Sequence, residues 1–335
     1  MNNDLLKVFE TELDYDSAKP DFVYPTISYV KETDKLLYMA KPSILDLPIK
    51  AVFYDSSTVS FVKLYPDQIT EANPNYTPIG VEVVPAEHDV YGTGQAGIMS
   101  LAVMNYKTPD TGSTSQNIRW GGYGTDTSLP NYNKVNLVDG TTASAGYLPS
   151  DRFTGATSLD GVSKYYGTSN HAPSPYNADG SRNEVYYTTA YSTANALSDF
   201  DGVSNTKVLT DLATSQSDWK TATNITDSKD AGYYPAACCC WRFHTVGTEQ
   251  GQWYLPACGE LGYVANRFNA INETINKVLS VYSSVVAVAM DTYDSLWSST
   301  EYSTKYARAL GTNTGNINNY GSKDTYHDVR AFLRV

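Results

Sequence analysis

Gly251-Gln252-Trp253-Tyr254-Leu255-Pro256-Ala257-Cys258-Gly259-Glu260-Leu261 is the stretch that decides the fold. It leads into a helix. Leu261, Val264, Ala265, Phe268, Ile271, Ile275, Val278 and Leu279 then recur at three- and four-residue steps, which is one apolar face of an amphipathic helix. Asn266, Arg267, Asn272, Glu273 and Lys277 fall on the other face. Pro256 sits where a helix entry tolerates it, because the first helical amides have no intrahelical partner. Glu260 is placed to fold back on those amides, whereas Ala257, at the expected cap, has no side-chain acceptor.

Beyond the helix the pattern changes. Trp297 and Tyr302 flank a Ser298-Ser299-Thr300-Glu301 turn, after which Tyr306-Ala307-Arg308-Ala309-Leu310 alternates like a strand, as does Val329-Arg330-Ala331-Phe332-Leu333. Between them lies a Gly- and Asn-rich run from Gly311 to Gly321, suited to tight turns with positive φ. The reading is of short strands joined by exposed polar turns.

These segments carry a resemblance. Trp-Tyr-Leu-Pro-x-x-Gly-Glu-Leu from Trp253, Leu-Trp-Ser-Ser-Thr-Glu-Tyr from Leu296, the closing Val329-Arg330-Ala331-Phe332 and the upstream Ala196–Thr206 segment resemble the C-type-lectin-like domain of variable proteins diversified by retroelements. The resemblance covers roughly residues 145 to 335. The N-terminal part, at Tyr29–Asp34 and Ile79–Ala86, is similar to virion structural proteins of crAss-like phages.

The resemblance implies an α+β chain: an N-terminal arm or anchor (1–50), a β-rich domain (51–144) and a C-type-lectin-like, formylglycine-generating-enzyme-like domain (145–335). It also implies which residues face a ligand: Tyr302, Thr304, Tyr306, Arg308, Asn313, Asn316, Asn318, Asn319, Tyr320, Ser322, Lys323, Tyr326 and His327. Trp297, Val329 and Phe332 belong to the scaffold. Asn, Ser, Thr, Tyr, Asp and His are the residues expected when adenines of Asn codons are randomised, although ordinary turns have a similar composition.

Composition bounds the rest. The 335 residues suffice for two domains with their own cores. Charged residues make up 18%, and there are 28 Tyr against 9 Phe. Tyr with Ser, Gly and Asn is the chemistry of paratopes, and Tyr also suits strands. A net charge of −12 argues against nucleic-acid phosphates and anionic membranes as partners. No apolar run of about twenty residues and no secretory signal is present, so synthesis in a cytoplasm and export within an assembled particle is the expected route.

Catalytic signals are few. Cys238, Cys239 and Cys240 run together, and Cys258 stands alone; they read as small buried hydrophobes beside Trp241 and Phe243, with a disulfide from Cys258 as the alternative. His88, His171, His244 and His327 form no metal motif, and no metal or other cofactor is expected. Asp199-Phe200-Asp201-Gly202 resembles part of a calcium loop, but an Asx-type turn before a helix accounts for it. Gly92-Thr93-Gly94-Gln95-Ala96-Gly97 has dinucleotide-fingerprint spacing without a long amphipathic helix after it, and reads as a glycine loop before a buried strand or short helix at Ile98-Met99-Ser100-Leu101.

The function expected is that of a non-enzymatic virion protein of a bacteriophage, a head or tail fibre. Its N-terminal region would contact other capsid or tail proteins and support a homo-oligomer, taken as a trimer. Its C-terminal domain would bind a host-surface glycan or protein. The alternatives are a capsid decoration protein with no ligand and a bacterial surface-associated binding protein.

Overall fold

The computed structural model describes residues 6–9, 27–32, 35–40, 49–86, 90–114, 117–129, 199–291, 295–312 and 320–335. Strands β1 (Leu6–Phe9), β2 (Ile27–Glu32) and β3 (Lys35–Ala40) form an antiparallel sheet in the order β1-β3-β2. β2 and β3 pair with Glu32 opposite Lys35 and Ile27 opposite Ala40. β1 adds a third strand, with Leu6 opposite Met39.

The centre is a six-stranded antiparallel sheet in the order β5-β4-β6-β7-β14-β9: β4 (Ala51–Asp55), β5 (Ser60–Leu64), β6 (Tyr76–Val84), β7 (Gly97–Ser100), β9 (Trp253–Tyr254) and β14 (Phe332–Arg334). Strands β4 to β7 come from one side of the 144/145 boundary expected from sequence, and β9 and β14 from the other. β14 pairs with both β7 and β9, so the hydrogen bonding of this sheet does not divide there.

Because side chains alternate along a strand, each strand feeds two cores. Phe53, Val81, Met99, Tyr254 and Phe332 point into one; Val52, Ile98, Trp253 and Leu333 point into the other. Helices α3 (Cys258–Asn266) and α4 (Phe268–Val281) cover the first face with Leu261, Val264, Ile271, Ile275 and Val278. Helices α1 (Gly202–Asp211) and α2 (Pro235–Arg242) pack in the second core with Trp120 and Trp297. Each fully buried aliphatic side chain in these layers contributes about 1.5–3 kcal/mol of transfer free energy.

The apolar face of the long helix is as expected, but its continuity is not. The helix breaks at Arg267, whose φ of −123° and ψ of 20° leave the α region. Arg267 was expected on the solvent face. It is 4% exposed, and its guanidinium reaches the Val83 carbonyl of β6 at 3.4 Å. A buried guanidinium must find acceptors, and the turn at Arg267 points this one at the sheet. The glycine loop from Gly92 leads into β7, which is buried along its whole length, as the sequence indicated.

The entry of α3 is built by two partners. Glu260 accepts the Ala257 N–H at 2.6 Å, as its position suggested. The acceptor that Ala257 lacks is supplied by another element: the Thr300 hydroxyl takes the Cys258 N–H at 2.8 Å. That hydroxyl donates to Asp199 Oδ2 at 2.7 Å. Asp199 also accepts the Asp201 N–H and the Asn205 side-chain amide, and Asp201 caps α1 by accepting from Ser204 N–H. The calcium-like Asp-x-Asp-Gly sequence is therefore a turn and a helix cap.

All four cysteines are free and buried. Burial pushes the Cys258 thiol up to about 12 and the other three further in the same direction, which disfavours the thiolate a nucleophile needs. No helix among the described residues is long and apolar enough to cross a membrane.

A tyrosine-rich tip as candidate binding face

The segment expected to carry the binding face forms a second antiparallel sheet, β10 (Ser295–Glu301), β11 (Tyr306–Gly311) and β12 (Tyr320–Ser322), in that order. The turn between β10 and β11 is tight, with Tyr302 N–H on the Tyr306 carbonyl at 3.0 Å and Tyr306 N–H on Ser303 at 3.3 Å. Two short strands, β8 (Ile118–Arg119) and β13 (Tyr326–His327), pair beside it, with Tyr326 opposite Arg119.

Two tryptophans lock these pieces together. The Trp297 indole donates to the Ile118 carbonyl and the Trp120 indole to the Ser298 carbonyl, each at 2.8 Å. The loop after Trp120 lies close against the second core. An added Cβ at Gly121 would meet the Tyr233 carbonyl at 2.1 Å, and one at Gly122 the Tyr234 ring at 2.3 Å. Both glycines have positive φ, 92° and 59°. Gly121 N–H reaches Lys323 O, Tyr123 N–H reaches Lys229 O, and Gly124 N–H reaches Thr304 O. Residues 119–124 thus tie the β10–β11 turn to the β12–β13 connection and to residues 227–229.

The expected ligand residues divide into three groups. Thr304, Tyr306 and Tyr326 are exposed, and Tyr302 and Ser322 are partly so. Tyr302 and Tyr306 meet edge-to-face with centroids 6.4 Å apart, and Tyr326 lies under the Arg119 guanidinium at 4.1 Å. Asn313, Asn316, Asn318 and Asn319 lie outside the described residues, and Tyr320 is described only by its place opposite Arg308.

Arg308 and Lys323 are corrections. Arg308 is 1% exposed, with its guanidinium 4.7 Å from the Tyr302 ring centroid. Alternation along β11 would put Arg308 on the outer face with Tyr306, but the Tyr302 ring covers it. Lys323 is fully buried, paired with Glu301 and 4.5 Å from the Trp120 ring centroid. Burial opposes charge on both partners, raising the Glu301 pKa and lowering that of Lys323, and each offsets this for the other. His327 is partly exposed and meets Trp297 edge-to-face with centroids 4.2 Å apart, and burial lowers its pKa to about 4. Arg308 and Lys323 hold the face up from beneath.

Three residues that sequence reasoning did not assign to the face belong to it. Tyr123, Lys229 and Lys305 meet at the tip, each ammonium 5.9 Å from the Tyr123 ring centroid. Residues 123 and 229 are far from the closing run in sequence, and only the hydrogen bonds of the 119–124 loop bring them there. The signal available was the aromatic- and glycine-rich run Trp120-Gly121-Gly122-Tyr123-Gly124.

Of the histidines, His88 and His171 lie outside the described residues, and His244 Nδ1 is 3.1 Å from the Arg242 carbonyl. No cluster of three or more metal-ligating side chains occurs among the described residues. A separate cavity of about 370 Å³ opens between α1, α2 and β9, lined by Val203, Lys220, Trp241 and Trp253 among others.

No protein-family model and no curated protein matches the chain. Among solved structures, a fimbrial protein from Bacteroides ovatus ATCC 8483 is similar over 92% of this chain, at 14% identity and a TM-score of 0.39. The similarity covers 60% of that protein's chain. A likeness of this degree assigns neither a fold family nor an activity.

Proposed function

We propose that this chain is a non-enzymatic bacteriophage virion protein, a head or tail fibre, whose C-terminal part is a C-type-lectin-like domain that binds a host-surface glycan or protein. The observation that carries the reading is the tip itself. Tyr302, Tyr306 and Tyr326 are presented outward, while Trp120, Trp297, Glu301 and Lys323 are buried directly behind them. Rigid aromatic side chains on a preorganised support give contact area at low entropic cost. The buried, protonated thiols support a role without covalent chemistry. The N-terminal sheet would serve attachment to neighbouring virion proteins and trimer formation, since a three-stranded sheet of such short strands gains from packing on a partner.

The test is adsorption of particles carrying Tyr302→Ala, Tyr306→Ala and Tyr326→Ala together. Reduced adsorption to host cells at unchanged particle yield is expected. Unchanged adsorption would reject ligand binding by this face and leave a structural decoration protein.

A further inference from the structure

Lys229 and Lys305 differ from the other cations around the tip. Arg119 is matched by Asp227, with Nη1 3.4 Å from Oδ2, and Lys323 by Glu301. Neither Lys229 nor Lys305 has a carboxylate within 4 Å among the described residues, although both are exposed and the protein carries a net charge of −12. Asp230, beside Lys229, accepts from the Ser228 hydroxyl, and Asp126, near Tyr123 in sequence, accepts from the Ser128 N–H. Glu301 is neutralised within the fold.

The backbone positions these two lysines. Tyr123 N–H binds the Lys229 carbonyl, and the next residue, Gly124, binds the Thr304 carbonyl beside Lys305. The loop thereby lies between two chains that each bring one ammonium to the same aromatic ring. Lys305 is tied in turn to Lys323 N–H through its carbonyl at 2.9 Å, so its backbone rests on the buried ion pair. Tyr302, Tyr306 and the exposed Thr304 adjoin it along the β10–β11 turn.

We infer that the tip binds an anionic polysaccharide, its acidic groups paired with Lys229 and Lys305 and its sugar rings laid against Tyr123 and the neighbouring tyrosines. The inference rests on the host-binding reading above and narrows its ligand to glycans bearing carboxylate or sulfate groups. The net charge of −12 opposes a polyanion at long range, but salt screens that repulsion beyond about 8–10 Å, and at the tip the two ammoniums can donate charge-assisted hydrogen bonds to acidic groups. The tyrosine faces supply the apolar contact that a sugar ring needs, and Thr304 and Ser322 supply neutral hydroxyls. A neutral glycan would offer the ammoniums hydroxyl acceptors but no opposite charge.

The full-length protein would be titrated by calorimetry with polygalacturonate, dextran sulfate and uncharged dextran. Binding to at least one of the two acidic polymers, weakening as salt rises, and none to dextran is the expected result; which acidic polymer binds separates carboxylate from sulfate recognition. Lys229→Gln with Lys305→Gln should lower that affinity by about tenfold or more, on the scale of charged hydrogen bonds. Lys207→Gln, a like loss of charge at an exposed lysine already paired with Asp211, should leave it unchanged. Dextran binding as strong as that of the acidic polymers, no binding to either of them, or equal losses from the Lys229/Lys305 and Lys207 variants would overturn the inference. In adsorption assays, loss with the tyrosine variants but not with the lysine variants would remove the anionic ligand and keep the host-binding role. No loss with either would remove both.

Discussion

Lys323 Nζ meets Glu301 Oε1 inside the fold, with the lysine side chain fully buried and that of the glutamate 2% exposed. A charge pair so placed costs desolvation on both sides and is held by mutual compensation. It joins the end of β10 to the residue after β12, and the Lys323 ammonium also faces the Trp120 ring. The pair is thus the joint beneath the tyrosine-rich tip.

Removing one partner should be far worse than removing both. Lys323→Met is expected to destabilise by about 3–5 kcal/mol, because Glu301 is left buried and uncompensated. Lys323→Met with Glu301→Leu should recover a large part of that loss. Urea unfolding of the three proteins measures it; equal midpoints for the single and double variants would contradict the coupling.

Thr300→Val keeps shape and removes one hydroxyl. It leaves the Cys258 N–H and the Asp199 carboxylate each short of a partner, at a cost of about 1–3 kcal/mol. Ser303→Ala, in the adjoining turn, should change stability by less than about 0.5 kcal/mol, as surface substitutions do. A comparable loss at both positions in thermal unfolding would argue against the capping role.

Two buried groups give the protein opposite slopes with pH. Burial raises the Glu260 pKa from 4.5 to about 7, against hydrogen bonds from Tyr254, Ala257 and Tyr91 and the charge of Arg334. Its folded value is above its unfolded one, so its contribution is fully present below about pH 4.5 and is lost as pH rises through 7. His327 is lowered from 6.5 to about 4, so its contribution is present above pH 6.5 and is lost as pH falls toward 4. Neither slope can exceed about 1.4 kcal/mol per pH unit. The two windows overlap between about pH 4.5 and 6.5, where the slopes offset each other, so Glu260→Gln should unmask the His327 slope, with the unfolding free energy falling more steeply as pH drops from 6.5 to 4 than in the wild type. An unchanged profile in that variant would show that Glu260 does not titrate there.

The four thiols should be silent in the native state. Ellman's reagent is expected to label none of them until denaturant is added and all four afterwards, and reductant should leave the melting temperature where it was. Rapid native labelling of Cys258 would require an opening of the α3 entry.

Much of the fold was legible in the chain because its signals are local. The 3.6-residue period from Leu261 to Leu279 marks the apolar face of α3 and α4. The apolar run Ala51–Tyr54 and the alternation in Val329–Leu333 mark strands of the central sheet or their approach to it. Asp199-x-Asp201-Gly202 announces a turn before a helix. Periodicity and capping are properties of neighbouring residues, so a sequence displays them directly.

The tertiary structure alone decided what is inside. Arg267, Arg308 and Lys323 are charged residues that any sequence reading places at the surface. They are buried because acceptors or rings from distant elements, the Val83 carbonyl, the Tyr302 ring and the Glu301 carboxylate, stand ready for them. The pairing of β14 with β7 and β9, which joins the two halves of the chain in one sheet, is equally non-local. So is the meeting of Lys229 and Lys305 at Tyr123. A charge is buried only where a partner offsets its desolvation, and which partner arrives depends on contacts between residues far apart in sequence.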